Sequence, residues 1–156
     1  MAVNPIPEGF SRITPYLTVD DGKAAIEFYK RAFGATDRGV MTSPDGKVAH
    51  ASLEIGNGAI MLSDRFPQSA CQTPKDLGGT TVALFLYVED VDAVVRDAAA
   101  AGATITMQPE DQFWGDRLGQ VTDPFGHVWQ IATRVEEVAP EEVDARAREM
   151  FAAASS

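Results

Sequence analysis

The sequence predicts an α+β protein: two copies of a β-α-β-β-β unit arranged around a ligand-binding cleft. Three observations carry that prediction. First, Tyr16-Leu17-Thr18-Val19-Asp20-Asp21 recurs as Phe85-Leu86-Tyr87-Val88-Glu89-Asp90, an offset of 69 residues, and each copy runs into a helical stretch. Second, both stretches stop at a glycine followed by Ala-Thr, at Gly34 and at Gly102. Third, strand-like runs separated by hairpin turns follow each stop, which is the sequence signature of a repeated supersecondary unit.

Each element has a local cause. In the first helix, Asp20 or Asp21 can cap the free amide groups. Ala25, Phe28, Tyr29, Ala32 and Phe33 make one apolar face at i, i+3, i+4, i+7 and i+8. The second helix spans 91–101, capped by Asp90, with Val91, Val94, Val95 and Ala98 on its face. Strands are expected over 35–42, 48–55 and 59–63, then over 104–108, 117–122 and 127–133. Ser43-Pro44-Asp45-Gly46, Gly56-Asn57-Gly58 and Asp123-Pro124-Phe125-Gly126 supply the turns. The stretch from Asp64 to Thr80 is rich in Pro, Gln, Ser and Gly and reads as the connection between halves. A last helix over 141–154 follows Pro140. The chain thus divides into an N-terminal extension (1–10), a first module (11–70), a linker (71–80), a second module (81–134) and an acidic helical tail (135–156).

Composition narrows the function. Apolar residues make up 45% of the 156, enough for an ordinary interior. The longest clean apolar run, Val82 to Val88, is far too short to cross a bilayer. The net charge of −10 repels phosphate backbones, so nucleic acid is not an expected partner. No secretory leader is readable at the start, and the single cysteine, Cys71, cannot form an internal disulfide. Both features point to the cytoplasm. No Gly-rich phosphate loop, Ser-His-Asp order or zinc cysteine set is present.

Two units of this length resemble the vicinal oxygen chelate superfamily, which includes glyoxalase I, extradiol dioxygenases and bleomycin-resistance proteins. The residues that carry the resemblance are Tyr16 to Asp20, Ile26-Glu27-Phe28-Tyr29, Phe33-Gly34-Ala35, Val88 to Asp92, Ala101-Gly102-Ala103 and Asp123 to His127. Phe113-Trp114-Gly115-Asp116-Arg117, placed before Asp-Pro-Phe-Gly-His, is most similar to the PhnB-like subgroup. The resemblance implies a curved mixed sheet whose one face takes a helix while the other lines the cleft. It also implies a homodimer, with the cleft formed within one chain or across two. Metal-using members draw one ligand from the first and one from the last strand of each unit. Carried onto this sequence, those slots are Thr14, Met61, Ala83 and Gln130. Divalent ions in such sites want imidazole or carboxylate, and shifting the register by one or two residues brings neither in. No metal and no other cofactor is therefore expected.

Alternation along the strands predicts the cleft wall. Thr14, Tyr16, Met61, Phe85, Tyr87 and Gln130 are the expected ligand contacts, joined by Phe113, Trp114 and Arg117 from the loop that follows the sixth strand. Phe113 and Trp114 either stack on a ligand or anchor their loop. Arg117 either clamps an anion or pairs with Asp116. His50 and Glu54 share a face of the third strand with Ser52. They read either as an acid–base pair or as a solvated structural pair. Two functions follow: a metal-independent protein binding a small aromatic or antibiotic-like ligand, or a lyase, isomerase or dioxygenase-type enzyme that uses His50 and Glu54 or a non-standard metal. A third possibility, an interaction module, rests on the acidic tail.

Overall fold

A strand, a helix and three further strands follow one another twice along the chain. The computed structural model describes residues 2–155. The first module holds β1 (Tyr16–Val19), α1 (Gly22–Phe33), β2 (Thr36–Thr42), β3 (Val48–Ile55) and β4 (Gly58–Asp64). A short α2 (Pro74–Leu77) follows, then β5 (Ala83–Tyr87), α3 (Val91–Ala100), β6 (Thr104–Asp111), β7 (Asp116–Thr122) and β8 (Val128–Arg134). The chain ends in α4 (Pro140–Ala154).

The strands form two four-stranded mixed sheets, ordered β1-β4-β3-β2 and β5-β8-β7-β6. In each, the first strand pairs parallel to the last, as a strand–helix crossover requires, and the remaining neighbours are antiparallel. The two sheets do not join into one ladder: β1 and β5 each lie at an edge and are not paired with each other. The register is the same in both modules: Tyr16 faces Met61, and Phe85 faces Gln130.

Both crossover helices start on an aspartate. The Asp21 carboxylate accepts from Ala24 N at 3.0 Å, and that of Asp90 from Ala93 N at 3.1 Å. Each helix start is also stapled to the end of its module's last strand. Asp64 accepts from Gly22 N (2.9 Å) and Val48 N (2.7 Å). In the second module Thr133 accepts from Val91 N (2.9 Å) and donates to Val88 O (2.8 Å). A Cβ on Gly22 would lie 2.7 Å from the Val48 side chain, so only glycine allows that approach.

Helices α1 and α3 pack together, and the helix-facing residues of both sheets enter one core. Leu17, Val19, Ile60, Leu62, Trp129 and Ile131 are buried there, as the alternation predicted, while Leu84 and Leu86 pack on it half-buried. An aromatic cluster joins the modules: Phe33 lies 4.5 Å and Tyr29 5.4 Å from Trp129 between ring centroids. Such pairs add about 0.5–1.5 kcal/mol beyond area burial. Asp123, only 3% exposed, sits beneath them and accepts from Tyr29 Oη (2.5 Å), Trp129 Nε1 (3.0 Å), Phe125 N (2.9 Å) and His127 N (2.9 Å). His127 Nε2 lies 3.1 Å from Thr18 O, a further link across the modules.

Most strand ends fall within a residue of the sequence reading, with two larger differences. β6 runs on to Asp111, beyond the expected 108. The linker contains α2, capped reciprocally by Thr73 and Asp76. Among the described residues, no helix is long and apolar enough to cross a membrane.

Candidate functional site

Each sheet turns one face to the core and leaves the other open. On the first sheet the open face carries Tyr16, His50, Ser52, Glu54 and Met61, as β-strand alternation and the pairing of β1, β4 and β3 place them. Tyr16 pairs with Met61 and Met61 with Ser52, so the three form one row across the sheet. On the second sheet the matching row is Phe85, Gln130 and Gln120. Tyr16 is 49% exposed, Phe85 48% and Tyr87 63%. Large aromatics so exposed on a sheet face are unusual unless something covers them. Among the described residues no hydrogen bond, ion pair or ring contact joins one open face to the other. A groove of about 350 Å³ runs between the modules beside these faces, lined by Pro15, Ile55, Ala59, Val82 and Phe85 among others.

The first face holds a hydrogen-bonded chain. Tyr16 Oη lies 3.0 Å from His50 Nδ1, and His50 Nε2 lies 3.1 Å from Ser52 Oγ. Both hydroxyls can donate or accept, so the chain is satisfied with either imidazole tautomer. Glu54 is not part of it. Four residues of strand separate it from His50, about 13 Å at 3.3 Å per residue. Glu54 instead pairs with Arg38 Nη1 at 3.2 Å, and Arg38 also reaches Gly9 O and the Phe10 ring. His50 and Glu54 are therefore separate groups, neither an acid–base pair nor a structural pair with each other.

The second face is ordered by amides and by Asp116. Gln130 Nε2 donates to Gln120 Oε1 at 3.2 Å, and Gln120 Nε2 donates to Thr106 Oγ1 at 3.0 Å. Asp116 is 4% exposed, and its Oδ2 accepts from Tyr87 Oη (2.8 Å) and Trp114 Nε1 (3.0 Å). The hydrogen bond to Asp116, then burial, raises the Tyr87 phenol above its ordinary 10.0. Phe113 meets Trp114 edge to face at 5.0 Å. Trp114 is thus tied to Tyr87 of the open face through Asp116, which anchors its loop.

Arg117 is turned away. It shares its side of β7 with buried Val121 and donates to both oxygens of Asp92 on α3, at 2.8 and 3.0 Å, and to Asp111 at 3.1 Å. Its partner is not Asp116, and its fork is filled on the helix side. The paired guanidinium holds the Asp92 carboxyl below its ordinary value. Thr14 precedes β1 and donates to Ser11 O at 3.5 Å. The four slots thus present a hydroxyl, a thioether, a methyl and an amide, a donor set that does not fit a catalytic divalent cation. Among the described residues, no three His, Cys, Asp or Glu side chains come together as a metal site. Gln120, Thr106 and Arg38 escaped the sequence reading. Gln120 is found by carrying Ser52 across the repeat, whereas nothing local marks Thr106 or Arg38.

The comparisons agree with this architecture. Residues 9–131 match the Glyoxalase/Bleomycin resistance protein/Dioxygenase superfamily, and the chain belongs to it. An uncharacterized protein of Mycobacterium bovis is 46% identical over 148 residues, which cover 93% of this chain and 95% of that one. The X-ray structure of an Arabidopsis thaliana gene product is 30% identical, with a TM-score of 0.64 over 79% of this chain and 98% of that one. The crystal structure of TioX from Micromonospora sp. ML1 is 26% identical, with a TM-score of 0.62 over 80% of this chain and 99% of that one.

Proposed function

We propose that this protein binds a small, flat aromatic ligand without a divalent cation, in a cleft that a second copy of the chain completes. The observation that carries the reading is the exposure of Tyr16, Phe85 and Tyr87 on two open sheet faces whose metal slots hold Thr14, Met61, Ala83 and Gln130. Aromatic walls with a few orienting hydroxyl and amide groups are ordinary small-ligand chemistry. Phe113 to Arg117 before Asp123 to His127 supports placing the chain in the PhnB-like subgroup. The test is a thermal-shift screen of planar aromatic compounds on chelator-treated protein. A ligand at a hundredfold excess over Kd stabilises by about 2.7 kcal/mol, a readily measured rise. Loss of that rise in Phe85→Ala and Tyr87→Ala supports the reading. Stoichiometric zinc, iron or manganese in untagged protein, or ligand binding only after such an ion is added, overturns it.

A second reading, a lyase or isomerase, is favoured by the Tyr16–His50–Ser52 chain, which can pass a proton between an exposed phenol and a buried hydroxyl. It requires turnover that His50→Ala abolishes while the melting temperature holds.

A further inference from the structure

We infer that the C-terminal helix is a positioning element of the ligand face, with Arg146 holding Trp114 and Tyr87 in place through the Phe113 carbonyl and the Asp116 carboxylate. The inference rests on the proposed aromatic-ligand reading and adds a residue outside the segment, 9–131, that matches the family.

The path is short and continuous. Arg146 Nη1 donates to Phe113 O at 3.0 Å. The same guanidinium is fixed by Glu136 at 3.0 and 3.2 Å and by Glu142 at 3.0 Å. Phe113 precedes Trp114, whose indole N–H and the Tyr87 hydroxyl share one oxygen of the buried Asp116. The tail grips the same turn a second way: Val135 N and Glu136 N both donate to Gly115 O, at 2.9 and 3.0 Å. Gly115 has φ +106°, and a Cβ there would run into Glu136 O, so the turn and the tail fit only with glycine at that point. No residue of α4 is buried. Its attachment is thus local to this turn, and loosening it leaves the core intact. A planar, five-donor fork reaches three acceptors here, which a lysine ammonium on a flexible stem does not reproduce.

The test uses the full chain with Arg146→Ala and Arg146→Lys, each also carried in a Trp114→Phe background so that the Trp114 signal is obtained by subtraction from that of Trp129. Without any ligand, acrylamide quenching of Trp114 rises in Arg146→Ala, falls back only partly in Arg146→Lys, and the thermal midpoint stays near that of the parent. Affinity for anilinonaphthalene sulfonate, an aromatic probe built on a flat naphthalene ring, falls about 2- to 30-fold, the range of coupling through packed contacts. Unchanged Trp114 quenching in Arg146→Ala overturns the inference whatever the probe does. Unchanged probe affinity in a variant whose Trp114 has loosened overturns the link to binding. A parent protein that does not bind the probe counts against the aromatic-ligand reading, and the quenching result then decides the positioning by itself.

Discussion

Replacing Asp123 with alanine should cost this protein much of its stability, and the size of the loss can be worked out from the contacts. The substitution leaves the Tyr29 hydroxyl and the Trp129 N–H, both buried, without an acceptor. An orphaned buried donor costs about 1–3 kcal/mol. Two of them give about 4 kcal/mol, and the turn amides of Phe125 and His127 lose their acceptor as well. Against a typical total of about 5–15 kcal/mol this is a large share. It corresponds to a fall in melting temperature of about 8–16 °C for a chain of this size. Asp123→Asn separates the terms. Its amide oxygen can keep the two backbone bonds, and its nitrogen then faces two donors. The Tyr29 hydroxyl can turn and accept, but the indole N–H can only donate. One orphan remains, at about 2 kcal/mol. The assay is urea unfolding followed by tryptophan emission, read as a shift in midpoint at unchanged slope. An Asp123→Ala protein within about 1 kcal/mol of the parent, or an Asn variant worse than Ala, would refute the assignment of Asp123 as the lock between modules.

Two further outcomes concern the cleft and Tyr29. If a second copy completes the cleft, Tyr16→Ala and Phe85→Ala proteins, each defective alone, should regain binding when refolded together, with about a quarter of all sites intact in a random mixture of dimers. No recovery would place both walls of the cleft in one chain. Burial, then the charge of Asp123, holds the Tyr29 phenol well above its ordinary 10.0. A phenol raised on folding contributes stability that is complete below its unfolded value and is lost as pH rises through the folded value. The advantage of the parent over Tyr29→Phe should therefore persist to about pH 10 and shrink above it, with Tyr29 absorbing as phenolate only on unfolding. Native-state ionisation of Tyr29 near its ordinary value would contradict this.

Much of the architecture was legible because it is periodic. The recurrence of Tyr16–Asp21 at Phe85–Asp90 located both crossovers, and alternation placed Leu17, Val19, Ile60 and Ile131 inward and Tyr16, Phe85 and Gln130 outward. What escaped is non-periodic or long-range. Helix α2 has four residues, too few for any apolar face, and only its Thr73–Asp76 capping box betrays it. Asp123 looked like a turn former because its spacing to Pro124 and Gly126 is local, while its partner Tyr29 lies 94 residues away. Arg117 was assigned to the cleft because it neighbours Trp114. The start of β7 at Asp116 fixes the alternation there and sends the guanidinium to α3. His50 and Glu54 share a face, but strand rise alone keeps them apart, and Arg38, which no local pattern marks, claims the glutamate.

The two staples at the helix starts show how closely the two modules match beyond their letters. Asp64 and Thr133 stand 69 positions apart, as do the amides they receive, Gly22 and Val91. One residue is an anion and the other an alcohol, yet both put an oxygen at the same point beside the same peptide. The repeat is therefore kept as geometry at a position where its letters differ. Symmetry hidden from letter-by-letter matching can be recovered by asking where acceptors sit in space.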